Sequence, residues 1–261
     1  MNNNRHPEIV LPESDLKREL QKKSRRGFLL GGLAAVAGIG SYEAVRMSHT
    51  DNEVPWPQRR VLDFNGKIAR AYLDSSHLMP TYSASEIGYM KPNGDHGLDD
   101  EPDDQGNPPD WDGLQLESPG ASPITLQLQD IQSLPRQQIT TKFCCIEGWS
   151  VVQKWTGARF SDFTKKFLPP GANLTDYVYM ATDGEDYFVG LDSKSALHPQ
   201  TLLAWEQNDK PLVYEHGAPL RLIIPVKYGI KNIKRIGLIR FTNQRPRDFW
   251  HEQGYDWFAG L

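Results

Sequence analysis

The chain has two cysteines, and they are adjacent, Cys144 and Cys145. Adjacent Cα atoms lie about 3.8 Å apart, which is shorter than the roughly 4.4–6.8 Å that an ordinary disulfide spans. A disulfide therefore cannot join distant parts of this chain, and a packed core must hold the fold together. With 261 residues the chain is long enough to bury such a core. At least one of the two thiols is expected to have a chemical role instead of a cross-linking one.

The N-terminal region has the pattern of an export signal. Arg25 and Arg26 precede an apolar run over residues 27–40, and two lysines stand just before them. A basic segment before a short apolar run is typical of a secretory signal, and paired arginines indicate the twin-arginine (Tat) route. The run is shorter than the ~20 apolar residues of a full membrane span. We therefore predict that residues 1–50 are a Tat signal or an uncleaved N-terminal anchor. We expect the Tat translocase as a partner and a periplasmic or other extracytoplasmic location.

The remaining chain, residues 51–261, is predicted to be one domain. Roughly 210 residues make one large domain or two small ones. The net charge is −4 and the sequence pI is about 6.0, which argues against a nucleic-acid partner.

Short strands with a few short helices are predicted within this domain, from alternating apolar patterns and from proline and glycine stops. The predicted strands are 124–128, 139–144, 177–180, 187–189, 220–226 and 236–241, and the predicted helices are 130–134 and 161–168. Residues 41–60 are predicted to be a linker and residues 91–120 a long surface loop. An acidic cluster at 99–104 lacks the ligand register of a calcium loop and is interpreted as solvated. The predicted fold class is α+β, β-rich, with mixed sheet.

The residue types exclude the common single-metal sites. A zinc site needs three or four Cys or His ligands at regular spacing, and a copper site usually combines His, Cys and Met. The seven histidines show neither pattern. A metal that takes one protein thiolate and draws its other ligands from an organic cofactor agrees better with the sequence. A thiol redox protein that uses Cys144 and Cys145 is a further alternative, although it lacks the CxxC spacing that tunes such couples.

Segment 145–150, with the sequence CIEGWS, resembles the molybdenum-binding segment of the sulfite-oxidase-type molybdopterin-dependent oxidoreductases. Within that family it is most similar to the periplasmic protein-methionine-sulfoxide reductase catalytic subunits, and the resemblance covers approximately residues 60–245. It implies the sulfite-oxidase-type fold, a Mo-molybdopterin cofactor, and Cys145 as the catalytic residue and metal ligand. Cys144 would be a buried spectator or a second thiol near the site.

Three further segments carry the resemblance. Residues 216–221 (HGAPLR) and 224–234 (IPVKYGIKNIK) are similar to the family's N-G-x-P-x-R and P-x-K-Y-G-x-K-x-x-K patterns, and a strand is similar to one ending in a cofactor-contacting threonine. The segment around residue 82, which shapes the substrate mouth in the family, matches poorly. The resemblance implies that the cofactor-binding residues are Cys145, Thr182, His216, Arg221, Asn232, Ile233 and Lys234, with Tyr82, Ser85 and Glu86 near the mouth. His216 stands where the reductases have asparagine.

The resemblance implies an exported oxidoreductase that transfers an oxygen atom at molybdenum, to or from a small-molecule or protein-bound substrate. The chain has no CxxCH and no iron–sulfur cysteine pattern. A separate electron partner is therefore expected, either a membrane cytochrome b or a soluble cytochrome c. Two alternatives stay open: a sulfite dehydrogenase-type oxidation and a non-catalytic binding member of the same fold. Sulfite is a dianion and would need several arginines at the metal. The candidates are Arg159, Arg221, Arg235 and Arg240.

Overall fold

The computed structural model describes residues 13–73, 76–92, 98, 110–169 and 174–261. The chain divides into two compact units, one through residue 51 with residues 55–57 and the other with residues 52–54 and 58–261. The acidic cluster at 99–104 lies outside the described residues.

The N-terminal unit is built on helix α1 (Glu13–Arg46). Its part from Gln21 to Arg46 is 26 residues long, and is long and apolar enough to cross a membrane by length and composition. A signal sequence near an N-terminus meets the same criterion. The helix is therefore compatible with both a signal and an anchor. The predicted linker at 41–60 is wrong at both ends, because α1 runs through its start and helix α2 (Trp56–Tyr72) begins before its end.

Short strands dominate the described part of the second unit, and short helices connect them. Along the whole described chain the strands are β1 (Thr50–Asp51), β2 (Val54–Pro55), β3 (Leu114–Glu117), β4 (Ile124–Leu126), β5 (Arg136–Cys144), β6 (Ser150–Arg159), β7 (Tyr177–Thr182), β8 (Phe188–Asp192), β9 (Leu202–Gln207), β10 (Lys210–Pro211), β11 (Arg221–Ile223) and β12 (Ile236–Thr242). The other helices are α3 (Leu128–Gln132), α4 (Phe160–Phe167), α5 (Ser193–Ala196) and α6 (Phe249–Glu252).

Two five-stranded sheets form the frame of the second unit. One has the order β10-β9-β6-β5, with β11 also paired to β9, and its pairs are antiparallel. The other has the order β4-β3-β12-β7-β8. It is mixed, because β12 runs parallel to β3 and antiparallel to β7. The α+β class with mixed sheet is confirmed.

The surface loop predicted at 91–120 is wrong where β3 lies, since β3 is a half-buried strand hydrogen-bonded between β4 and β12. The strand predicted at 220–226 is shorter in the structure and ends at Ile223. Pro225 follows two residues later and has no backbone N–H to donate to a strand pair.

Two local features place the ends of the first sheet. Near the C-terminal end of β6, a Cβ on Gly157 would lie 2.1 Å from the Leu203 carbonyl oxygen, so β6 and β9 approach as closely as only glycine allows. At the far end of β6, the hairpin loop 145–149 joins it to β5. After β11, the chain makes a 3-10 turn at Gly229–Lys231. The hairpin loop and this turn form the walls of the site.

Candidate active site

A pocket of about 810 Å³, a volume that includes its open mouth, is lined by the β5–β6 loop and by the segment after β10. Its lining residues are Met90, Phe143, Cys145, Ile146, Glu147, Trp149, Tyr187, His216, Arg221, Gly229, Ile230, Asn232, Lys234, Trp250 and Tyr255. Most are apolar or aromatic, and a few polar groups converge among them. Both properties are typical of small-molecule and cofactor sites.

The hairpin loop fixes the thiol of Cys145 in the pocket wall. The Cys145 N–H donates to the Trp149 carbonyl (2.9 Å), and the Gly148 N–H donates to the Cys145 carbonyl (3.2 Å). The loop closes on Gly148 at φ 91°, a conformation that glycine adopts without steric cost. Cys145 is consequently buried, with 6% of its surface exposed.

Glu147 connects the thiol to an aromatic wall. Its Oε2 lies 3.9 Å from the Cys145 Sγ and accepts a hydrogen bond from the Trp149 indole Nε1 (3.1 Å). The Trp149 ring stacks on Phe143, with ring centroids 6.0 Å apart. One carboxylate therefore holds the indole in place beside the thiol.

Cys144 has a different environment, although it is the next residue. It ends strand β5, is half-buried, and is not among the residues that line the pocket. The two cysteines are not joined by a disulfide. Burial raises the pKa of the Cys144 thiol above its usual range, and Lys142 opposes this only in part. A thiol in this state is a poor nucleophile and a poor metal ligand at neutral pH.

Arg221 places a buried positive charge in the lining of the same pocket. Its Nη1 donates to the His216 carbonyl (2.8 Å) and its Nη2 to the Asn232 carbonyl (3.2 Å), while its guanidinium stands 4.8 Å from the Trp155 ring centroid. Burial lowers its pKa to about 9, so it is a cation at neutral pH. Among the described residues no carboxylate pairs with it, and its Nε has no hydrogen-bond partner. A buried cation in this position is suited to an anionic ligand.

His216 and Lys234 are held together beside Arg221. The 3-10 turn Tyr214–His216 ends at Gly217, whose φ is 97° and where a Cβ would lie 2.8 Å from the Lys234 Cβ. Burial, Arg221 and Lys234 lower the pKa of His216 to about 4. His216 is therefore a neutral imidazole, and its buried Nδ1 has no hydrogen-bond partner among the described residues.

The neutral state of His216 predicts a pH-dependent stability. Its folded pKa of about 4 lies below its ordinary value of 6.5, so the unfolded chain binds more protons between these values. The contribution is complete above pH 6.5 and is lost as the pH falls towards 4. In the cofactor-free protein we expect the free energy of unfolding to fall by on the order of 1–2 kcal/mol across this window, after allowance for solvent at the mouth. Urea denaturation at several pH values measures it. His216→Asn should flatten this slope, and an equal slope in that variant would exclude His216 as its source.

Asn232 and Ile233 take part in the fold around the pocket. The Asn232 Oδ1 accepts from the Ile224 N–H (2.8 Å) and its Nδ2 donates to the Tyr228 carbonyl (3.1 Å), so this side chain braces the wall that it lines. Ile233 is 1% exposed and packs in the main hydrophobic core. Its side chain is not among those that line the pocket.

Thr182 lies behind the pocket. Its Oγ1 donates to the Tyr187 carbonyl (3.2 Å) and accepts from the Tyr187 N–H (3.1 Å). Tyr187 itself lines the pocket and donates from its hydroxyl to the Ile230 carbonyl (2.7 Å). The structure thus places Thr182 as a support for Tyr187 and not among the pocket-lining residues.

Tyr82, Ser85 and Glu86 are also not among the pocket-lining residues. The Glu86 carboxylate accepts from the Ser83 N–H (2.8 Å), and the Ser83 Oγ accepts from the Ser85 N–H (3.3 Å), which together cap a 3-10 turn. The Tyr82 N–H donates to the Thr140 carbonyl (3.0 Å). This segment runs on to Met90, and that side chain lines the pocket.

Of the four arginines considered for anion binding, Arg221 alone lines the pocket within the described structure. Arg235 donates to the Asp110 and Ala218 carbonyls (2.7 and 3.3 Å). Arg240 pairs with Glu117, and Arg159 precedes α4 with its side chain exposed.

Sequence reasoning missed several aromatic residues of the pocket, including Tyr187, Trp250 and Tyr255. Trp250 and Tyr255 belong to the C-terminal segment and pack edge to face, with ring centroids 5.2 Å apart. The run Phe249-Trp250 was the available signal, since two adjacent large aromatics near the end of a chain indicate packing against a partner surface.

The chain matches the family model described as the oxidoreductase molybdopterin binding domain over residues 102–250, more than half of its length. The chain belongs to this family. It is therefore a molybdenum-dependent oxidoreductase that binds a molybdopterin cofactor, and the resemblance drawn from the CIEGWS segment is confirmed at that level.

The curated relatives of the chain agree with this family assignment. The chain is 30% identical to a putative protein-methionine-sulfoxide reductase subunit YedZ1 of Azospira oryzae, over 94% of this chain and 91% of that one. It is 36% identical to the protein-methionine-sulfoxide reductase catalytic subunit MsrP of Xanthomonas axonopodis pv. citri, over 54% of this chain and 46% of that one. It is 33% identical to MsrP of Campylobacter jejuni, over 53% of this chain and 52% of that one. The chain thus spans about half the length of these catalytic subunits.

Among solved structures, the sulfane dehydrogenase SoxCD of Paracoccus pantotrophus is similar with a TM-score of 0.45 and 17% identity, over 51% of this chain and 38% of that one.

The residues of the pocket fit a molybdopterin. A buried thiol supplies a soft donor of the kind that molybdenum takes. The Arg221 guanidinium, which has no carboxylate partner in the described structure, suits the cofactor's phosphate, as does the ammonium of Lys234. Within the described residues no three His, Cys, Asp or Glu side chains cluster as a metal site.

Proposed function

We propose that this protein reduces a sulfoxide, such as methionine sulfoxide free or within a protein, at a molybdenum centre ligated by Cys145. The observation that carries the proposal is one pocket that the buried Cys145 lines together with aromatic side chains and the buried Arg221. The names of the curated relatives support the same substrate class.

The character of the pocket favours a neutral sulfoxide over sulfite. A sulfite dianion requires several cationic side chains, and this pocket offers Arg221 and Lys234 with Glu147 against them. Arg221 and Lys234 would both be engaged with the negatively charged phosphate of the cofactor. The remaining wall consists largely of Met90, Phe143, Trp149, Trp250 and Tyr255. Aromatic and thioether surfaces bind the apolar body of a methyl sulfoxide by dispersion and burial.

When bound, the cofactor supplies the two-electron oxygen-atom transfer, and the protein supplies orientation, charge and shape. Sulfoxide, two electrons and two protons give sulfide and water. Cys145 would hold the metal, while Arg221 and Lys234 would hold the phosphate. His216 is neutral and can both donate and accept a hydrogen bond, which suits the heterocycle of the pterin. The Tyr187 hydroxyl is engaged with Ile230, and burial raises its pKa, so it stays protonated and braces the wall.

We further propose that electrons arrive singly from a separate cytochrome, a membrane cytochrome b or a soluble cytochrome c, because the sequence has no CxxCH or iron–sulfur pattern. Export by the Tat translocase is part of this proposal and is supported by Arg25, Arg26 and the apolar helix that follows them. In this view residues 51–261 form the exported catalytic domain.

A substrate panel tests this function. The full chain, produced in a cell that makes molybdopterin, is assayed with a reduced viologen donor against methionine sulfoxide and dimethyl sulfoxide, and with an electron acceptor against sulfite. We expect sulfoxide-dependent oxidation of the viologen and no measurable sulfite oxidation. Faster turnover of sulfite would favour the dehydrogenase alternative. A molybdenum-loaded protein that is inactive on all substrates would favour a non-catalytic binding role.

A further inference from the structure

Helix α2 has an apolar face that packs against the domain and a second apolar face that is exposed. On the packed side, a Cβ on Gly66 would lie 3.3 Å from the Phe258 Cβ, and Arg59 is 2% exposed. On the other side, Val61, Phe64, Ile68 and Tyr72 are 58%, 62%, 54% and 74% exposed. Their spacing of three or four residues puts them on one stripe of the helix. A row of large exposed apolar side chains marks an interaction surface.

The charges beside this stripe are positive. The chain as a whole carries a net charge of −4, but α2 has four basic residues and one acidic residue. The exposed Arg60 and Lys67 lie four residues before and three residues after Phe64, on the same flank. The acidic residue, Asp63, is turned towards the domain, where it pairs with Arg245 at 3.5 Å.

A second pocket opens on this basic flank. Its volume is about 920 Å³ including the open mouth, and Phe64 is shared between it and the stripe. Four basic side chains, Arg60, Lys67, Arg70 and Arg245, line it against two acidic ones. The Arg70 guanidinium stands 5.9 Å from the Trp257 ring centroid, and its buried Nε has no hydrogen-bond partner in the described structure. The pocket therefore has an excess of positive charge and an unused donor, as an anion site requires.

We propose that α2 docks this domain onto a bilayer that contains anionic phospholipid. The stripe enters the interface between headgroups and acyl chains, and a lipid phosphate occupies the basic pocket beside it. A helix with an apolar stripe bordered by Lys and Arg is suited to lie in a membrane interface. Juxtamembrane basic residues add attraction to anionic lipid.

The position of α2 in the chain supports lipid over a protein partner. The segment long and apolar enough to span a membrane ends at Arg46, and α2 begins at Trp56. The intervening chain reaches about 30 Å when extended, so a retained N-terminal helix keeps α2 close to the bilayer surface. Tryptophan, which begins α2, is enriched at membrane–water interfaces.

Photo-crosslinking of the full chain in nanodiscs of phosphatidylglycerol and phosphatidylcholine tests the proposal. Phe64→p-benzoylphenylalanine and Ile68→p-benzoylphenylalanine report on the stripe. Tyr89→p-benzoylphenylalanine is the matched control, because Tyr89 is 84% exposed and lies outside α2. We expect lipid adducts, identified by mass, at positions 64 and 68 and not at 89. Adducts with protein instead of lipid, or no adducts at either position, would overturn the proposal.

The headgroup pocket has its own test in the same assay. Lys67→Gln, or replacement of phosphatidylglycerol by phosphatidylcholine, should lower the adduct yield at position 64 by roughly fivefold or more. Lys210→Gln, which removes an exposed lysine of β10, should leave it unchanged. An equal loss of adduct at position 64 in Lys67→Gln and Lys210→Gln, or no loss in either variant, would contradict a phosphate site beside α2. Sulfoxide reduction with a soluble donor is independent of these outcomes.

Discussion

Cys145→Ser is expected to lower sulfoxide reduction by more than about 100-fold, beyond the 10–100-fold typical of residues that only orient a metal ligand. A serine hydroxyl is a hard donor with a much higher pKa than a thiol, and it does not replace a thiolate on a soft metal site. The loop that presents residue 145 is held by backbone hydrogen bonds to Trp149 and Gly148, which serine preserves. The loss should therefore be chemical and not structural. Steady-state assays with a viologen donor, together with unfolding curves, measure both.

Cys144→Ser is the matched control, because it makes the same change one residue away. Cys144 does not line the pocket, and burial raises the pKa of its thiol. We expect activity within a few-fold of the parent protein, as for a residue without a ligand role. Equal losses in the two variants would contradict the assignment of Cys145 and favour a role for the pair.

Lys231→Met is expected to lower the free energy of unfolding by about 3–5 kcal/mol, the cost of removing one partner of a buried ion pair. Lys231 and Asp248 pair while each side chain is 1% exposed, and the Lys231 Nζ also donates to the Gly190 carbonyl (3.0 Å). Burial lowers the pKa of Lys231, and Asp248 opposes this, so the charge depends on its partner. Urea denaturation measures the loss.

The pair also positions the pocket, which gives the substitution a functional consequence. Lys231 ends the 3-10 turn that carries Gly229 and Ile230 into the pocket wall. A Cβ on Gly229 would lie 2.7 Å from the Phe143 ring, so the turn has little room to shift. Lys231→Met should therefore weaken cofactor retention as well as stability.

The double variant Lys231→Met with Asp248→Asn tests whether the two side chains stabilise the fold as an ion pair. Removing both charges leaves no uncompensated buried ion, so the double change should cost much less than the sum of the single ones. A residual loss of about 1 kcal/mol is expected because an asparagine amide keeps one oxygen for the His251 N–H (3.0 Å), which caps α6, but its nitrogen cannot accept from the Gly190 N–H (3.1 Å) as the second carboxylate oxygen does. Additive costs would show that the two side chains do not act as a pair.

Local patterns in the sequence were sufficient for the hairpins and the core strands of the second sheet. The strands predicted at 177–180 and 187–189 correspond to β7 and β8, and the strand predicted at 236–241 corresponds to β12. The strand β3 could not be predicted in the same way. It is four residues long within a polar region, and its pairing with β12 joins residues more than a hundred positions apart. Pairing of that kind is decided by tertiary contacts and not by local preference.

Motif and geometry agree in placing two of the predicted residues in one pocket, Cys145 on its hairpin and Arg221 on a short strand. Their roles towards the metal and the cofactor stay predictions. Thr182 and Glu86 each bond to a backbone group within five residues, and Ser85 bonds to the Ser83 hydroxyl, which a sequence motif cannot distinguish from a cofactor contact. Their assignment as cofactor-binding residues stays a prediction. The aromatic wall around Trp250 required the C-terminal segment to fold back, and no local pattern encodes that.

X-ray absorption at the molybdenum edge shows whether the Cys145 sulfur ligates the metal. The full chain is compared with its Cys144→Ser and Cys145→Ser variants, each produced in a molybdopterin-competent cell. We expect molybdenum in the parent protein and a count of sulfur neighbours that falls by one in Cys145→Ser while Cys144→Ser matches the parent. An unchanged sulfur count in Cys145→Ser, or a parent protein without molybdenum, would contradict it.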